Sequence, residues 1–196
     1  MTPLPFAWPT WMVYWAVYVW VYFPESRVIR KSRQSGPRPV EDRGSLRILL
    51  LSFSAAVFGA FLLAFAAPWA ALPGHPLFWF VTGLVLLIAG SLLRRHCFKV
   101  LGKFFTGAVT IQSDHRVIEE GAYRWVRHPS YSAALLIVLG TTLPLGNWLS
   151  VAFAFVLALF GYTYRARVEE QALLAALGDP YARFMESRRR FIPYVY

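Results

Sequence analysis

The chain has 196 residues, of which 57% are hydrophobic and 15% charged, and its mean hydropathy is +0.45. Those proportions exclude an ordinary water-soluble domain and define an all-α integral membrane protein. A net charge of +10 on so apolar a chain points to topology and anionic membrane lipids as partners, not to nucleic acid.

Five apolar stretches follow one another at about 6–23, 46–67, 77–93, 130–145 and 148–164. Several approach the ~20 residues that a helix needs to cross ~30 Å of hydrocarbon. The last two are shorter, and Leu145-Gly146-Asn147 joins them tightly, which predicts a thin helical hairpin near the C-terminal end. Residues 1–76 read as scaffold and 77–196 as the functional half of a single membrane domain.

Charge placement predicts orientation. All 20 Lys and Arg residues lie in the segments 24–47, 94–127 and 165–190, while the connections 68–76 and 145–147 carry no formal charge. Five crossings put the three basic segments on one face and the neutral turns on the other. The positive-inside rule then places the basic face and the C-terminal segment in the cytoplasm and the N-terminus outside. Trp8, Trp11, Trp15, Trp20, Trp69, Trp79 and Trp148 suit interfacial anchors. No basic residue precedes the first apolar stretch and no small-residue cleavage pattern follows it, so it does not read as a cleaved signal. Cys97 is the sole cysteine, which rules out an intrachain disulfide. No zinc spacing, phosphate-binding glycine loop or internal repeat is present, so no metal site is expected, and nothing signals an oligomeric state.

Residues 32–45 are polar and rich in Pro and Gly, which predicts a flexible connecting loop. The third helix should run past the apolar boundary through Arg94, Arg95 and His96, with an irregular stretch over 102–114. Pro129 fits the first turn of a fourth helix. The fifth should continue beyond Tyr164 to Gly178-Asp179-Pro180, followed by an amphipathic segment bearing Tyr181, Phe184 and Arg188–Arg190, and by an extended ending through Pro193.

Two polar islands flank the hairpin: His115–Tyr131 and Arg165–Tyr196, with no charged residue from Ser132 to Tyr164. Their side chains admit plain readings. Arg165 stands four residues before Glu169, the spacing of a helix ion pair, whereas Glu170 has only Ala166 at that position. His115 and His128 suit backbone capping, Tyr123 and Tyr131 interfacial packing, and Arg188–Arg190 a headgroup-binding run. The alternative is a site. An acidic pair accepts hydrogen bonds from ribose hydroxyls or an amino group, and a guanidinium fork such as that of Arg127 binds a carboxylate.

The run Gly121-Ala-Tyr123-Arg-Trp-Val-Arg127-His128-Pro129-Ser-Tyr131 resembles the signature of the isoprenylcysteine carboxyl methyltransferase family and its prokaryotic members. In that family a short membrane hairpin, a Glu-Glu pair, a Gly-x-x-Tyr segment and a terminal Arg-x-Ile-Pro follow. Here these are Glu169-Glu170, Gly178-Asp-Pro-Tyr181 and Arg190-Phe-Ile192-Pro193. The resemblance covers about residues 90–196; Ala122 stands where a proline is frequent.

It implies a methyltransferase that uses S-adenosyl-L-methionine, in the cytoplasmic membrane of a prokaryote. It also implies a lipophilic or prenylated substrate arriving from the bilayer. By motif, His115, Gly121, Tyr123, His128, Tyr131, Glu169, Glu170 and Arg190 would bind the cofactor, with Arg127 and Glu170 nearest the chemistry. A carboxylate acceptor needs positioning and exclusion of water; an amine would need a base, for which Glu170 or His128 would serve. Three other readings stay open: an NADPH-dependent reductase of the sterol-reductase type, a phospholipid N-methyltransferase, and a membrane adaptor without catalysis.

Overall fold

A computed structural model describes residues 2–35, 42–105 and 114–193, with side chains from 2–28 in the first of these segments. Six α-helices occur among them: α1 (Thr10–Ser35), α2 (Ser45–Ala66), α3 (Pro76–Leu101), α4 (Pro129–Thr142), α5 (Trp148–Leu177) and α6 (Asp179–Ser187). No strand occurs among the described residues, only two isolated bridges.

The helices pack as antiparallel pairs, α3 with α4 and α2 with α5, and α1 lies against α3. Small residues make this possible, because in lipid the contact has to come from close backbone approach. On α3 the buried stripe is Phe80, Gly83, Leu87, Gly90, Arg94 and Cys97, spaced three and four apart. It meets Gly140 of α4, where an added Cβ would lie 2.3 Å from the Leu87 nitrogen. On α2 the stripe is Ser52, Ala56, Ala60 and Ala64, and on α5 it is Ser150, Ala154, Ala158, Gly161 and Arg165. The opposite faces are apolar and exposed, with Leu51 and Phe58 on α2 and Val156 and Phe160 on α5. Apolar faces this continuous belong against lipid.

Three helical stretches, Ser45–Ala66, Pro76–Phe104 and Trp148–Leu177, are long and apolar enough to cross a membrane. Pro129–Leu145 is apolar but shorter, α4 with a 3-10 turn at Leu143–Leu145. The 14 residues of α4 span only ~21 Å at 1.5 Å each. The thin hairpin expected between 130 and 164 is therefore one short helix and one that continues well past it.

The two neutral turns lie together. Asn147 caps α5 by accepting the Ser150 amide and donates its side-chain N–H to the Ala67 carbonyl at 2.7 Å. The Leu72 amide donates to the Gly146 carbonyl at 2.8 Å. At the other end charged residues of α1 and α3, and of α5 and the approach to α2, come together in the Arg94–Glu25 and Arg165–Asp42 pairs.

Some boundaries differ from expectation. The first helix starts at Thr10 and runs to Ser35, about three turns beyond the apolar stretch ending at 23. Glu25 on that extension is held by Arg94 at 2.5 Å, so the polar turn has a tertiary partner. Arg94 itself does not emerge into water: it is buried, and its Nη1 donates to the Ser130 carbonyl at 2.6 Å. The flexible loop expected over 32–45 falls partly within α1 and α2, and its residues 36–41 lie outside the described residues, as do 106–113 of the irregular stretch. The ending 188–193 is bent, joined to Val126 by one parallel bridge at Arg189.

Gly140→Ala and Gly59→Ala separate the two kinds of close contact. Each added Cβ meets an atom at 2.3 Å, but at Gly140 it is α3 backbone and at Gly59 the edge of the Phe153 ring, which turns. Gly140→Ala should cost about 1–3 kcal/mol and Gly59→Ala under half as much, read by thermal denaturation in detergent. Equal losses would contradict the backbone-to-backbone packing of α3 on α4.

Candidate active site

The approach to α4 is fixed by the C-terminal segment. The Arg127 amide donates to the Arg189 carbonyl at 2.8 Å and the His128 amide to the Arg190 carbonyl at 3.0 Å. Ser132 Oγ donates to the Phe191 carbonyl at 2.6 Å, and Arg188 pairs with Glu119 at 3.2 Å. The two polar islands are thus laced together as one wall.

From the other side α5 brings Glu169 and Glu170, which point about 100° apart by helix geometry. Glu170 is buried at 4% exposure and faces this wall. Arg190 grips it as a fork, with Nη2 donating to Oε2 at 2.7 Å and Nε to Oε1 at 3.2 Å. His128 Nε2 lies 3.1 Å from Oε1, and Arg127 Nε is 3.3 Å from the same oxygen. Two guanidinium groups around one carboxylate favour its ionised form. Glu169 faces the other way, where it accepts the Tyr131 hydroxyl at 2.5 Å. The Tyr131 ring stacks on His128 with 3° between planes and centroids 5.2 Å apart.

A cavity opens on the Glu169 side. Its polar lining includes His115, Arg127, His128, Tyr131, Arg165 and Glu169, and its apolar lining Phe104, Phe105, Leu173, Leu177, Tyr181 and Phe184. His115 faces Phe104 with ring centroids 4.8 Å apart, and its buried Nδ1 has no hydrogen-bond partner among the described residues. Burial lowers the His115 pKa against the opposing pull of Glu169 and Asp114, so the ring is neutral at pH 7. Burial likewise pushes the Tyr181 hydroxyl up, with Glu169 and Glu170 adding to it, so it stays a phenol.

Of the residues singled out in the sequence, His115, Tyr123, Arg127, His128, Tyr131 and Glu169 line this cavity. Glu170 and Arg190 are not on its lining; they brace His128 and Arg127 from behind. Gly121 sits against α3 with φ +58°, and a Cβ there would meet His96 Nε2 at 2.8 Å, so a tight turn and close packing require the glycine. Arg165 does not simply serve its own helix. It is buried, and its Nη1 reaches Asp42 and, at 2.6 Å, Ser45.

Four further residues were not picked out from sequence: Arg94, Glu25, Asp42 and Phe105. Arg94 and Arg165 each extend a small-residue stripe, Arg94 four residues after Gly90 and Arg165 four after Gly161. That periodicity was the signal that both guanidinium groups point inward.

These walls suit S-adenosyl-L-methionine. A neutral imidazole with an unanswered buried nitrogen, a carboxylate and a guanidinium face one space, and aromatic rings close it. Glu169 would take the ribose hydroxyls or the amino group, Arg127 the carboxylate, and the rings the base. When bound, this group supplies an electrophilic methyl on a sulfonium.

Fold and site together define a helical membrane protein with a polar cavity between the start of α4, the far end of α5 and the C-terminal segment. The sequence model of the isoprenylcysteine carboxyl methyltransferase (ICMT) family matches residues 82–175, the part of the chain that supplies most of this site. Through that part the chain is similar to the family, as its motifs indicated. The probable protein-S-isoprenylcysteine O-methyltransferase of Oryza sativa subsp. indica is 35% identical over 60% of this chain and 64% of its own length. Protein-S-isoprenylcysteine O-methyltransferase A of Arabidopsis thaliana is 34% identical over 63% and 64%. The match thus spans slightly under two thirds of these curated relatives. A solved eukaryotic intramembrane Ras methyltransferase ICMT shares the fold, with a TM-score of 0.56 at 24% identity over 74% of this chain and 52% of that one.

The division of labour between the two glutamates is testable without ligand. In Glu170→Gln, Arg127 and Arg190 lose their shared counter-charge, so amide protection at Arg127 and His128 should fall about 100-fold, or about 3 kcal/mol. Glu169→Gln should leave that protection intact. Hydrogen exchange read by mass spectrometry makes the comparison, and equal effects would contradict the assignment of Glu170 to the wall that joins the start of α4 to the C-terminal segment.

Proposed function

We propose that the protein is an integral membrane methyltransferase that moves a methyl group from S-adenosyl-L-methionine to a lipophilic isoprenoid or lipid-linked acceptor, at a carboxylate oxygen. The observation that carries this reading is the cavity where His115, Arg127, His128, Tyr131 and Glu169 converge. It lies largely within the family-matched residues. The names of the relatives, which specify S-isoprenylcysteine O-methylation, support the acceptor class.

In this reading Glu169 and Tyr131 act as one unit, the phenol fixing the carboxylate that faces the cofactor. Arg127 orients the carboxylate of the methyl donor, and Glu170 and Arg190 hold Arg127 and His128 in place and do not touch the reacting atoms. A carboxylate acceptor is nucleophilic at pH 7, so the work of the protein is alignment and exclusion of water. The hydrophobic closure by Phe104, Phe105 and Phe184 serves the second of these.

We place the cavity on the cytoplasmic side of a prokaryotic membrane, with five crossings, the N-terminus outside and the C-terminal segment inside. The clustering of the neutral turns at one end and of the charged helix termini at the other supports this topology. α1, which contains Pro24 and bears Glu25, would cross with its polar turn answered by Arg94.

Titration of the purified protein with S-adenosyl-L-methionine and, separately, with NADPH tests the class. Binding of the first and not the second is expected; the reverse would overturn the proposal in favour of a reductase. Glu169→Gln and Tyr131→Phe should each weaken cofactor binding by about tenfold, the scale of one charge-assisted hydrogen bond, and the double variant should add little. Incubation of lipid extracts with labelled methyl donor, followed by mild base, reads the acceptor atom, since a methyl ester releases its label as methanol and an N-methyl group does not.

A further inference from the structure

A second cavity adjoins the first. It runs between α1 and α2 and is lined by Leu46, Leu49, Leu50 and Phe53 of α2, with Ala134 and Ile137 of α4 behind them. Phe105, Tyr131 and Arg165 line both cavities, so Arg165 stands at their junction. The apolar cleft has two guanidinium groups on its lining, Arg94 and Arg165. Glu25 pairs with Arg94, and Asp42 pairs with Arg165, which Glu169 and the Tyr131 hydroxyl of the first cavity also face. Both arginines are buried, while the side chains of Glu25 and Asp42 are 18% and 20% exposed. The cations are thus fixed on packed helices, and the anions come from the less buried side.

Asp42 has duties of its own. It accepts the Ser45 hydroxyl at 2.9 Å and the Leu46 amide at 3.1 Å at the head of α2. An apolar cleft between helices, ending in a buried guanidinium beside a polar cavity, fits a ligand with an apolar tail and an anionic head.

Resting on the methyl-transfer reading above, we propose that Arg165 is the residue that selects the acid group of the acceptor, whose carboxylate takes the place of Asp42 on its guanidinium while the tail lies between α1 and α2. Methyl transfer then cancels the attraction. One carboxylate oxygen forms a bond to the methyl carbon, the carbon–sulfur bond breaks, and its electron pair stays on sulfur. The products are a neutral ester and a neutral thioether, and no proton moves. The ester no longer competes with Asp42, which pairs again with Arg165 and favours product release. Charge at one buried guanidinium thereby sets both acceptor choice and turnover.

The test uses the full-length protein in lipid nanodiscs and three probes that share one tail: N-acetyl-S-farnesylcysteine, its carboxamide and its methyl ester. The wild type should bind the acid about tenfold more tightly than the amide or the ester, the scale of a charge-assisted contact. Arg165→Gln should bring the three within about twofold by weakening the acid alone, and Arg165→Lys should keep part of the preference. Asp42→Asn preserves the cap on α2 and removes the competing charge, so the acid should bind about threefold more tightly with the neutral probes unchanged. A purely structural role for the pair would instead weaken all three probes together in every variant. That result, a preference that survives Arg165→Gln, or a wild type indifferent to the acid overturns the proposal. S-adenosyl-L-methionine affinity, measured alongside, should stay within about threefold in Asp42→Asn, which lies off the first cavity. Its absence in the wild type would overturn the methyl-transfer reading, while the acid-to-amide ratio would still decide the role of Arg165.

Discussion

A buried carboxylate has to be answered by donors, and the site is arranged around that constraint. Glu170 is almost fully enclosed, and Arg190, Arg127 and His128 supply its partners from two separate stretches of chain. Leaving any of them out would strand a charge in a medium that solvates it poorly. The C-terminal segment is therefore held against the start of α4, and the Arg189 and Arg190 carbonyls complete the fit by taking the Arg127 and His128 amides. The far end of α5 and the entrance to α4 become one rigid wall.

The cavity is a consequence of that wall. Because Glu170 is spent on structure, its neighbour Glu169 is turned by helix geometry toward Tyr131 and the open side. Function and support are divided between adjacent acids of one helix. The same division recurs among the arginines: Arg190 and Arg94 hold chain segments in place, while Arg127 and Arg165 line the cavity. Aromatic residues from α6 and the stretch after α3 close the space, giving a polar pocket that meets the apolar cleft at Tyr131 and Arg165.

Close packing of small residues makes this arrangement possible in lipid. Gly83, Gly90 and Gly140 let α3 and α4 approach until backbone nearly touches backbone, and the alanines of α2 do the same for α5. Helices this close have little freedom to tilt or slide, so the charged ends are delivered to one place. Arg94 and Arg165 extend those stripes, which puts a guanidinium group at the polar end of each packed pair.

The sequence by itself determined the helical membrane class, the separation of neutral turns from basic segments, the short α4 and the identity of most cavity residues. Hydropathy and charge act locally along the chain, and the Arg127-His128-Pro129 and Glu169-Glu170 motifs are contiguous, so both were legible. Only the tertiary structure decided which glutamate faces the cavity, that Arg190 and Glu170 form its backing, and that Asp42 and Glu25 answer Arg165 and Arg94. Those pairs join residues 20 to 123 positions apart. Such partners are chosen by the desolvation of buried charge once the helices have packed, and no local pattern in the chain encodes that choice.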